Sequence, residues 1–240
     1  TYISGNAVRL AARQAKQVVL EEAAKMLDVP VDKLCAKERK VFSVEEPRKS
    51  LPLTEVIASC RRKGILTIGS GWFNPDTTPL DKETGQGRPY GTYAFATHVA
   101  EVEVDTETGV VQVLKIVAAH DVGKAINPRN AEGQIEGGVG IGLGYALMEQ
   151  VVVDQGEVQS SSFATYLIPT SLDLPEVTPI LVEDPEPTGP FGAKGLGEPA
   201  LIPTAAAIAN AVYNAVGVRI TELPITPEKV LRELKKKNNS

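Results

Sequence analysis

The first apolar pattern along the chain predicts a long amphipathic helix. From Asn6 to Leu27, apolar side chains recur at intervals of three and four residues and form one stripe, and Ser4 or Asn6 can cap the N-terminus. A shorter helix is predicted from Pro52 to Lys63, inside a mixed stretch that spans residues 28–64. The beginning of the chain is therefore expected to form a lobe of helical and mixed structure.

The period changes to two residues after a long stretch without a regular pattern. Residues 69–91 are rich in Gly, Pro, Asp and Thr and predict a loop whose length indicates a function or a contact with a partner. Thr92–Asp105 then alternates between polar and apolar residues, Thr106–Gly109 forms a turn, and Val110–Ala118 returns. This pattern predicts a β-hairpin with one exposed face and one buried face.

A second strand pair and two helices are predicted in the C-terminal half. The pair spans Gln150–Val153 and Gly156–Ser162. The alanine-rich helix Thr204–Val216 is predicted to be almost wholly buried. A last helix is predicted for Pro227–Lys236, with Thr226 as its cap and proline as its first residue.

The central helix predicted for Asn130–Gln150 contains six glycines. A glycine in an exposed helix is less favourable than alanine by about 1 kcal/mol, so we expect something to pack closely against this helix. The close neighbour is either another part of the protein or a large planar ligand, and the pattern favours neither. The six positions are Gly133, Gly137, Gly138, Gly140, Gly142 and Gly144.

Composition restricts the possible classes of protein. The 240 residues form one large domain or two smaller parts, with a candidate division near residues 65–90 that separates residues 1–65 from residues 90–240. The net charge of −5 argues against nucleic-acid binding, because there is no basic excess to neutralise phosphates. No apolar run is long enough to cross a membrane, so no membrane partner is expected.

The cysteines and histidines do not predict a metal site. Cys35 and Cys60 lie 25 positions apart, a spacing that suits neither zinc nor iron–sulfur ligation, and we expect reduced thiols in a cytoplasmic protein. His98 and His120 are too few for a histidine-based site, and both are interpreted as structural. We therefore expect no metal ligand from this chain.

The segment Gly189–Pro199 carries the candidate catalytic group. Its glycines allow the backbone to approach a bulky group closely, and Glu198 lies at the end of the glycine run. Pro199 biases Glu198 toward an extended backbone, and the predicted helix Thr204–Val216 follows. Glycine-rich loops with one carboxylate also occur without a function, so the spacing alone leaves both interpretations open.

These motifs resemble those of the xanthine dehydrogenase and aldehyde oxidase family of molybdenum hydroxylases. The segment Gly192–Pro199, followed by Ile202–Ala211, resembles the family's C-terminal signature. Further blocks agree in the family's order: Ser4–Val8, Val99–Gly109, Asp121–Pro128, Gly133–Gly138 and Tyr166–Pro175. The resemblance covers nearly the whole chain and indicates the C-terminal part of the molybdopterin-binding large subunit.

The resemblance implies an α+β fold of mixed sheets with packed helices, namely the second molybdopterin-binding domain of the large subunit. It implies a molybdopterin cofactor with Mo, often the cytosine dinucleotide form in bacterial members. Glu198 falls on the family's general base, and Gln134 falls on a glutamine that contacts the cofactor. The other implied cofactor-binding positions are Gly133, Lys194, Gly195, Gly197, Ser4, Gly5, Asn6 and Ala7, the last four near the cofactor phosphates.

The resemblance also implies that the active site is incomplete in this chain. The N-terminal half of the molybdenum subunit carries the family's molybdenum-binding motif, and separate subunits or domains carry the 2Fe-2S centres and the FAD. The chain begins at Thr1 without Met. We expect a piece of a longer protein that is inactive without these partners.

Alternatives remain for the function and for some side chains. The leading hypothesis is a hydroxylase that inserts water-derived oxygen at an electron-poor carbon of an N-heterocycle, an aldehyde or a related aromatic compound. The alternatives are a non-catalytic molybdopterin-binding or scaffold module, and a reductive enzyme for aromatic CoA thioesters. Lys194 either acts in the site or holds the loop, and Trp72 and Phe73 either line a substrate funnel or pin the long loop.

Overall fold

The computed structural model describes residues 1–239, which form an α+β structure of five α-helices and three small sheets. The residues cluster into two units, Thr1–Gly91 and a second that begins at Thr92. The α+β expectation is confirmed, and the two units are described separately below.

The first unit combines two helices with a three-stranded antiparallel sheet. Strand β2 lies in the centre of this sheet, between β1 and β3. Its apolar core contains Leu20, Ala23, Val41 and Val56. The elements are α1 (Tyr2–Leu27), β1 (Leu34–Lys37), β2 (Lys40–Ser43), β3 (Ser50–Pro52) and α2 (Leu53–Arg62), with a 3-10 turn at Val31–Lys33.

Helix α1 begins earlier than its sequence pattern predicts. It starts at Tyr2 with Thr1 as the N-cap, and no side chain caps it. The proposed caps, Ser4 and Asn6, are therefore wrong, because both lie inside the helix. The amide of Asn6 instead donates to the carbonyl of Tyr2 at 3.1 Å.

The long loop of the first unit is confirmed, since residues 65–91 contain neither helix nor strand. The loop contacts α1 through the backbone of Ser70, whose N–H donates to Gln14 Oε1 at 2.6 Å. The ring of Phe73 packs edge-on against Tyr2 with centroids 5.5 Å apart. Phe73 therefore pins the loop, whereas Trp72 remains 78% exposed.

The second unit is built on a three-stranded mixed sheet in the order β4-β5-β8. Strands β4 and β5 form the predicted antiparallel hairpin, and β8 runs parallel to β5. The elements are β4 (Ala96–Val104), β5 (Val111–Asp121), α3 (Pro128–Leu147), β6 (Val153–Asp154), β7 (Glu157–Val158), β8 (Glu176–Val182), α4 (Thr204–Val216) and α5 (Pro227–Asn238), with a 3-10 turn at Pro190–Gly192.

Helices α3 and α4 cover one face of this sheet and form the larger core. Its fully buried residues include Ile116, Ile135 and Ile208. The prediction that α4 is almost wholly buried is wrong: only Thr204, Ile208 and Val212 are buried. These residues are four positions apart, so α4 presents one fully buried stripe to the core, and its alanines are partly buried or exposed.

The confirmed elements follow strong local signals, and the missed elements do not. Helix α5 begins as predicted, with the Thr226 hydroxyl accepting from the N–H of Lys229 at 3.4 Å. Strands β1 to β3 are only three or four residues long and were hidden in the mixed stretch. Strand β8 was missed because Pro179 interrupts its strand pattern, and proline is accepted mainly at sheet edges.

Candidate functional site

The loop between β8 and α4 presents the predicted catalytic carboxylate. Glu198 is exposed and lies in a turn shortly before α4. The carbonyl of Glu198 accepts from the N–H of Leu201 at 3.2 Å, and the carbonyl of Pro199 accepts from the N–H of Ile202 at 3.3 Å. The turn is therefore tied to its own backbone while the Glu198 side chain points away from the core.

A buried ion pair fixes the N-terminal side of this loop. The Lys194 ammonium lies 2.5 Å from Asp121 Oδ2, and both side chains are only 7% exposed. The hydrogen bond to Asp121 raises the pKa of Lys194 above its usual range. A second carboxylate, Asp184, lies 3.7 Å from the same ammonium. Lys194 therefore holds the loop, the structural alternative considered above.

Backbone hydrogen bonds reinforce this attachment. The N–H of Lys194 donates to the carbonyl of Val122 at 3.1 Å, and the N–H of Lys124 donates to the carbonyl of Gly192 at 2.7 Å. Gly123 and Ala193 form an isolated antiparallel bridge at the same place. The chain that follows β5 thus pairs with the start of the glycine-rich loop.

Glycines of α3 let the other side of the loop pack directly on that helix. A Cβ at Gly138 would lie 2.5 Å from the Cβ of Ala200, and a Cβ at Gly142 would lie 2.5 Å from the Cβ of Thr204. Real Cβ atoms do not approach so closely, so these two positions require glycine. Close packing against the protein itself therefore explains these two glycines of α3.

The remaining glycines near Glu198 face open space. A Cβ at Gly133, Gly195 or Gly197 would meet no atom within 4 Å. The amide nitrogen of Gln134 lies 3.4 Å from the carbonyl of Gly197, next to Glu198 in the chain. The structure thus brings Gln134 together with the Glu198 loop and leaves uncovered backbone beside both.

An open cleft of about 570 Å³ runs along α3 and includes Gly133. It is lined by Gly133, Gly137, Ile141, Ile168 and Leu174, together with a few polar groups. This surface is apolar and accessible in the second unit, as expected for a surface that contacts a ligand or partner. A separate cleft of about 390 Å³ lies near the C-terminal end of α3, away from Gln134.

The predicted phosphate-binding residues lie in the first unit. Ser4, Gly5, Asn6 and Ala7 all belong to the first turns of α1. Ser4 is exposed, whereas Asn6 is buried. The N–H groups in the first turn of a helix lack helical partners and favour anions. Of the four residues, Ser4 lies among these groups, whereas the N–H of Gly5 already donates to the carbonyl of Thr1 at 2.7 Å.

The sequence did not predict the buried hydrogen-bond network beneath α4. Nε2 of His98 lies 2.7 Å from Nε2 of His120, and Nδ1 of His98 lies 3.1 Å from the Thr204 hydroxyl. Burial, with a smaller contribution from His120, lowers the pKa of His98 to about 4, and burial also lowers the pKa of His120. The structural interpretation of both histidines is consistent with these contacts. The sequence feature that could have predicted this contact is that both histidines lie on the inward face of the hairpin.

The described residues provide few other candidates for chemistry. Within residues 1–239, no three His, Cys, Asp or Glu side chains converge as a metal site would require. Both cysteines are free thiols, and burial raises the pKa of Cys60 above its usual range. In the same part of the chain, the helices are too short or too polar to span a bilayer.

Comparison with known proteins identifies the family. The model of the molybdopterin cofactor-binding domain matches residues 1–175. The xanthine dehydrogenase molybdenum-binding subunit of Escherichia coli O157:H7 is 34% identical over 236 residues, which are 97% of this chain and 30% of that protein. The aldehyde oxidoreductase molybdenum-binding subunit PaoC of Escherichia coli (strain K12) is 40% identical over 150 residues, which are 61% of this chain and 20% of that protein.

Solved structures agree with this assignment. Quinoline 2-oxidoreductase from Pseudomonas putida 86 superposes with a TM-score of 0.75 at 29% identity, over 92% of this chain and 28% of that one. The chain therefore spans less than a third of the length of these relatives. The resemblance seen in the motifs is confirmed: this chain belongs to the molybdopterin cofactor-binding domain family, as part of a molybdenum-binding subunit of the xanthine dehydrogenase and aldehyde oxidoreductase kind.

Proposed function

We propose that this chain forms half of the molybdenum active site of a hydroxylase, with Glu198 as the general base. One observation carries the proposal: the loop of Glu198 is fixed on both sides, by the buried pair of Lys194 with Asp121 and by the packing of Ala200 on Gly138, yet Glu198 itself is exposed. A carboxylate held in place but open to a ligand suits proton transfer.

The residues around Glu198 fit a pterin cofactor. Gly133, Gly195 and Gly197 leave backbone open where any larger side chain would stand, and Gln134 supplies an amide that can donate and accept. A flat ring system can lie against such a surface. We propose that these residues hold molybdopterin. For the cytosine dinucleotide form, we propose that phosphate lies at the start of α1, where Ser4 is exposed and Gly5, Asn6 and Ala7 follow it in the helix.

In this assignment the chain contributes positioning and proton transfer. The molybdenum cofactor supplies the two-electron redox chemistry when it is bound. Glu198 accepts a proton from the water-derived oxygen that adds to an electron-poor carbon of an N-heterocycle, an aldehyde or a related aromatic substrate. Gln134 orients the cofactor, and Lys194 acts by fixing the loop. A positioned general base contributes a factor of about 10² to 10⁴ in rate.

The activity requires partners that this chain does not supply. The relatives are longer subunits, of which this chain matches about 30% or less. We propose that the N-terminal half of the molybdenum subunit completes the cofactor site and that 2Fe-2S and FAD subunits or domains carry the electrons away. The free thiols of Cys35 and Cys60 agree with a cytoplasmic location.

The test is a cofactor and substrate assay on the intact complex. We expect oxidation of at least one member of a panel of aldehydes and N-heterocycles, with molybdopterin present in the purified complex. Gln134→Ala should lower both the pterin content and the activity, whereas Glu103→Gln on the exposed face of β4 should change neither. A complex that contains molybdopterin but oxidises no substrate would favour the scaffold module, and reduction of an aromatic CoA thioester would favour the reductive enzyme.

A further inference from the structure

Two consecutive residues at the end of β5 are linked to the two ends of segment 194–204, Asp121 directly through Lys194 and His120 through His98 of β4. His120 and Asp121 are both buried, at 1% and 6% exposure. Consecutive side chains of a strand point to opposite faces. Asp121 binds Lys194 on one face, and His120 belongs with Ile116 and Ala118 on the face covered by α4. One strand end can therefore control both ends of the segment 194–204.

The second attachment is a chain of hydrogen bonds that ends at α4. His120 contacts His98 through their Nε2 atoms at 2.7 Å, and His98 contacts the Thr204 hydroxyl through Nδ1 at 3.1 Å. Thr204 is the first residue of α4 and is completely buried. Its hydroxyl is therefore fixed relative to β4 and β5, six positions after Glu198.

Stability alone does not account for these polar groups. Their neighbours in the same layer are apolar: Ala118 precedes His120 by two positions, and Ile208 follows Thr204 by one helical turn. Burying imidazole and hydroxyl groups is unfavourable unless they are hydrogen-bonded, and an apolar set of similar shape packs at least as well. Hydrogen bonds add direction, which apolar contacts lack. The network therefore defines where the preceding loop ends and α4 begins.

We propose that Thr204, held by His98 and His120, is a positioning residue for Glu198. This proposal rests on the proposed function, because it assigns a role through the general base. Asp121 with Lys194 fixes the segment before Glu198, and the histidine pair with Thr204 fixes the segment after it. Losing the Thr204 hydroxyl removes the directional contact after Glu198 and leaves only the packing of Ala200 on Gly138 on that side, so Glu198 samples positions outside the reactive geometry.

The test compares Thr204→Val with Thr204→Ser in the assembled, molybdenum-loaded complex. Valine preserves the shape and removes the hydroxyl, whereas serine keeps the hydroxyl. We expect Thr204→Val to lower kcat by about 10-fold to 100-fold, because displacements of about 1 Å at a catalytic group can have effects of this size. KM and molybdenum content should stay near wild type. Thr204→Ser should keep most of kcat, and His98→Leu should behave like Thr204→Val.

A second readout does not depend on activity. The N–H groups of Leu201, Ile202 and Thr204 are bonded within the loop. Hydrogen exchange of the peptide that spans residues 196–204 should accelerate in Thr204→Val and stay near wild type in Thr204→Ser. Unchanged exchange together with an unchanged kcat in Thr204→Val would overturn the proposal.

A double variant separates positioning from a general structural effect. If Thr204 acts through Glu198, adding Thr204→Val to Glu198→Gln should lower the rate no further. If Thr204→Val lowered the rate by the same factor in the Glu198→Gln enzyme as in the wild type, Thr204 would act independently of Glu198. That result would overturn the positioning role. The proposed function fails in a different way, namely when Glu198→Gln alone retains the wild-type rate.

Discussion

At the scale of single residues, the pair of Lys194 and Asp121 is a buried ion pair beside the candidate site. Removing one member of a buried ion pair leaves the other charge without compensation, which typically destabilises a protein by about 3–5 kcal/mol. Ion pairs at the surface contribute about 0–1 kcal/mol. The chain offers both kinds within one region, since Lys124 pairs with Glu183 at half-exposed side chains.

We therefore expect Lys194→Met to destabilise the chain by about 3–5 kcal/mol, because Asp121 loses its only close cation in the buried site described above. Lys124→Met is the matched control and should change stability by about 1 kcal/mol or less. Urea unfolding of both variants measures the difference. Equal small effects would show that the Lys194 pair does not hold the loop.

The buried histidines predict that stability depends on pH. The pKa of His98 is about 4 in the folded chain, below the value of about 6.5 expected when it is unfolded. The unfolded chain therefore binds the proton first, so folding is favoured above pH 6.5 and weakens as the pH falls toward 4. One such group contributes a slope of about 1.4 kcal/mol per pH unit in that window.

Urea unfolding between pH 7.5 and pH 4.5 tests this dependence. Carboxylates also titrate in the lower part of this range, so the comparison is made with His98→Leu. The stability advantage of the wild type over His98→Leu should shrink as the pH falls below 6.5, because the variant has lost one of the two titrating imidazoles. An advantage that stays constant over the range would contradict the burial of a neutral His98.

At the scale of elements, α3 shows two uses of glycine on one helix. Gly138 and Gly142 admit Ala200 and Thr204, whereas Gly133 faces open space. The sequence predicted that something packs closely on this helix, but it could not assign the neighbours. The segment that fills these positions lies about 60 residues later in the chain, and local patterns do not encode such contacts.

Alanine substitutions separate the two uses. Gly142→Ala should destabilise the chain by about 1–3 kcal/mol, because the new methyl group collides with Thr204. Gly133→Ala should stabilise it by about 0.5–1 kcal/mol, since alanine is the better helix former and meets no neighbour. Thermal unfolding measures both. In the assembled complex, Gly133→Ala should nevertheless lower the pterin content, and an unchanged content would remove Gly133 from the cofactor site.

Features that depend on a local sequence pattern were predicted, and features that depend on contacts between distant residues were not. The hairpin β4–β5, helix α3 and helix α4 have local periodicity and caps, and all were predicted. Strand β8 pairs in parallel with a strand far earlier in the chain, so its partner could not be deduced. The glycine-rich loop predicts Glu198 as the candidate base from local sequence, whereas the ion pair that fixes this loop joins residues 73 positions apart and was not predicted.

At the scale of the whole molecule, the predicted cofactor-binding residues do not all belong to one unit. Gln134, Lys194 and Glu198 belong to the second unit, and Ser4–Ala7 belong to the first. Each unit has an apolar core of its own. In the proposed function, the N-terminal half of the subunit completes the cofactor site around Glu198.

The proposed need for the N-terminal half predicts that the chain by itself does not retain the metal. Residues 1–239 place no three metal-binding side chains together, and the proposed pterin contacts come mainly from open glycine backbone and one amide. Metal analysis of the folded, purified chain should find far less than one molybdenum per chain. One molybdenum per chain would show that the site is complete without the partner half.

The most direct test of the account is Glu198→Gln in the assembled complex. Glutamine keeps the size of the side chain and removes the base, and Glu103→Gln on the exposed face of β4 serves as the control. The account predicts that kcat falls by a factor of about 10² to 10⁴ in Glu198→Gln, while the molybdenum and pterin contents stay near wild type. A Glu198→Gln complex that keeps full cofactor and most of its rate would contradict the assignment of Glu198 as the general base.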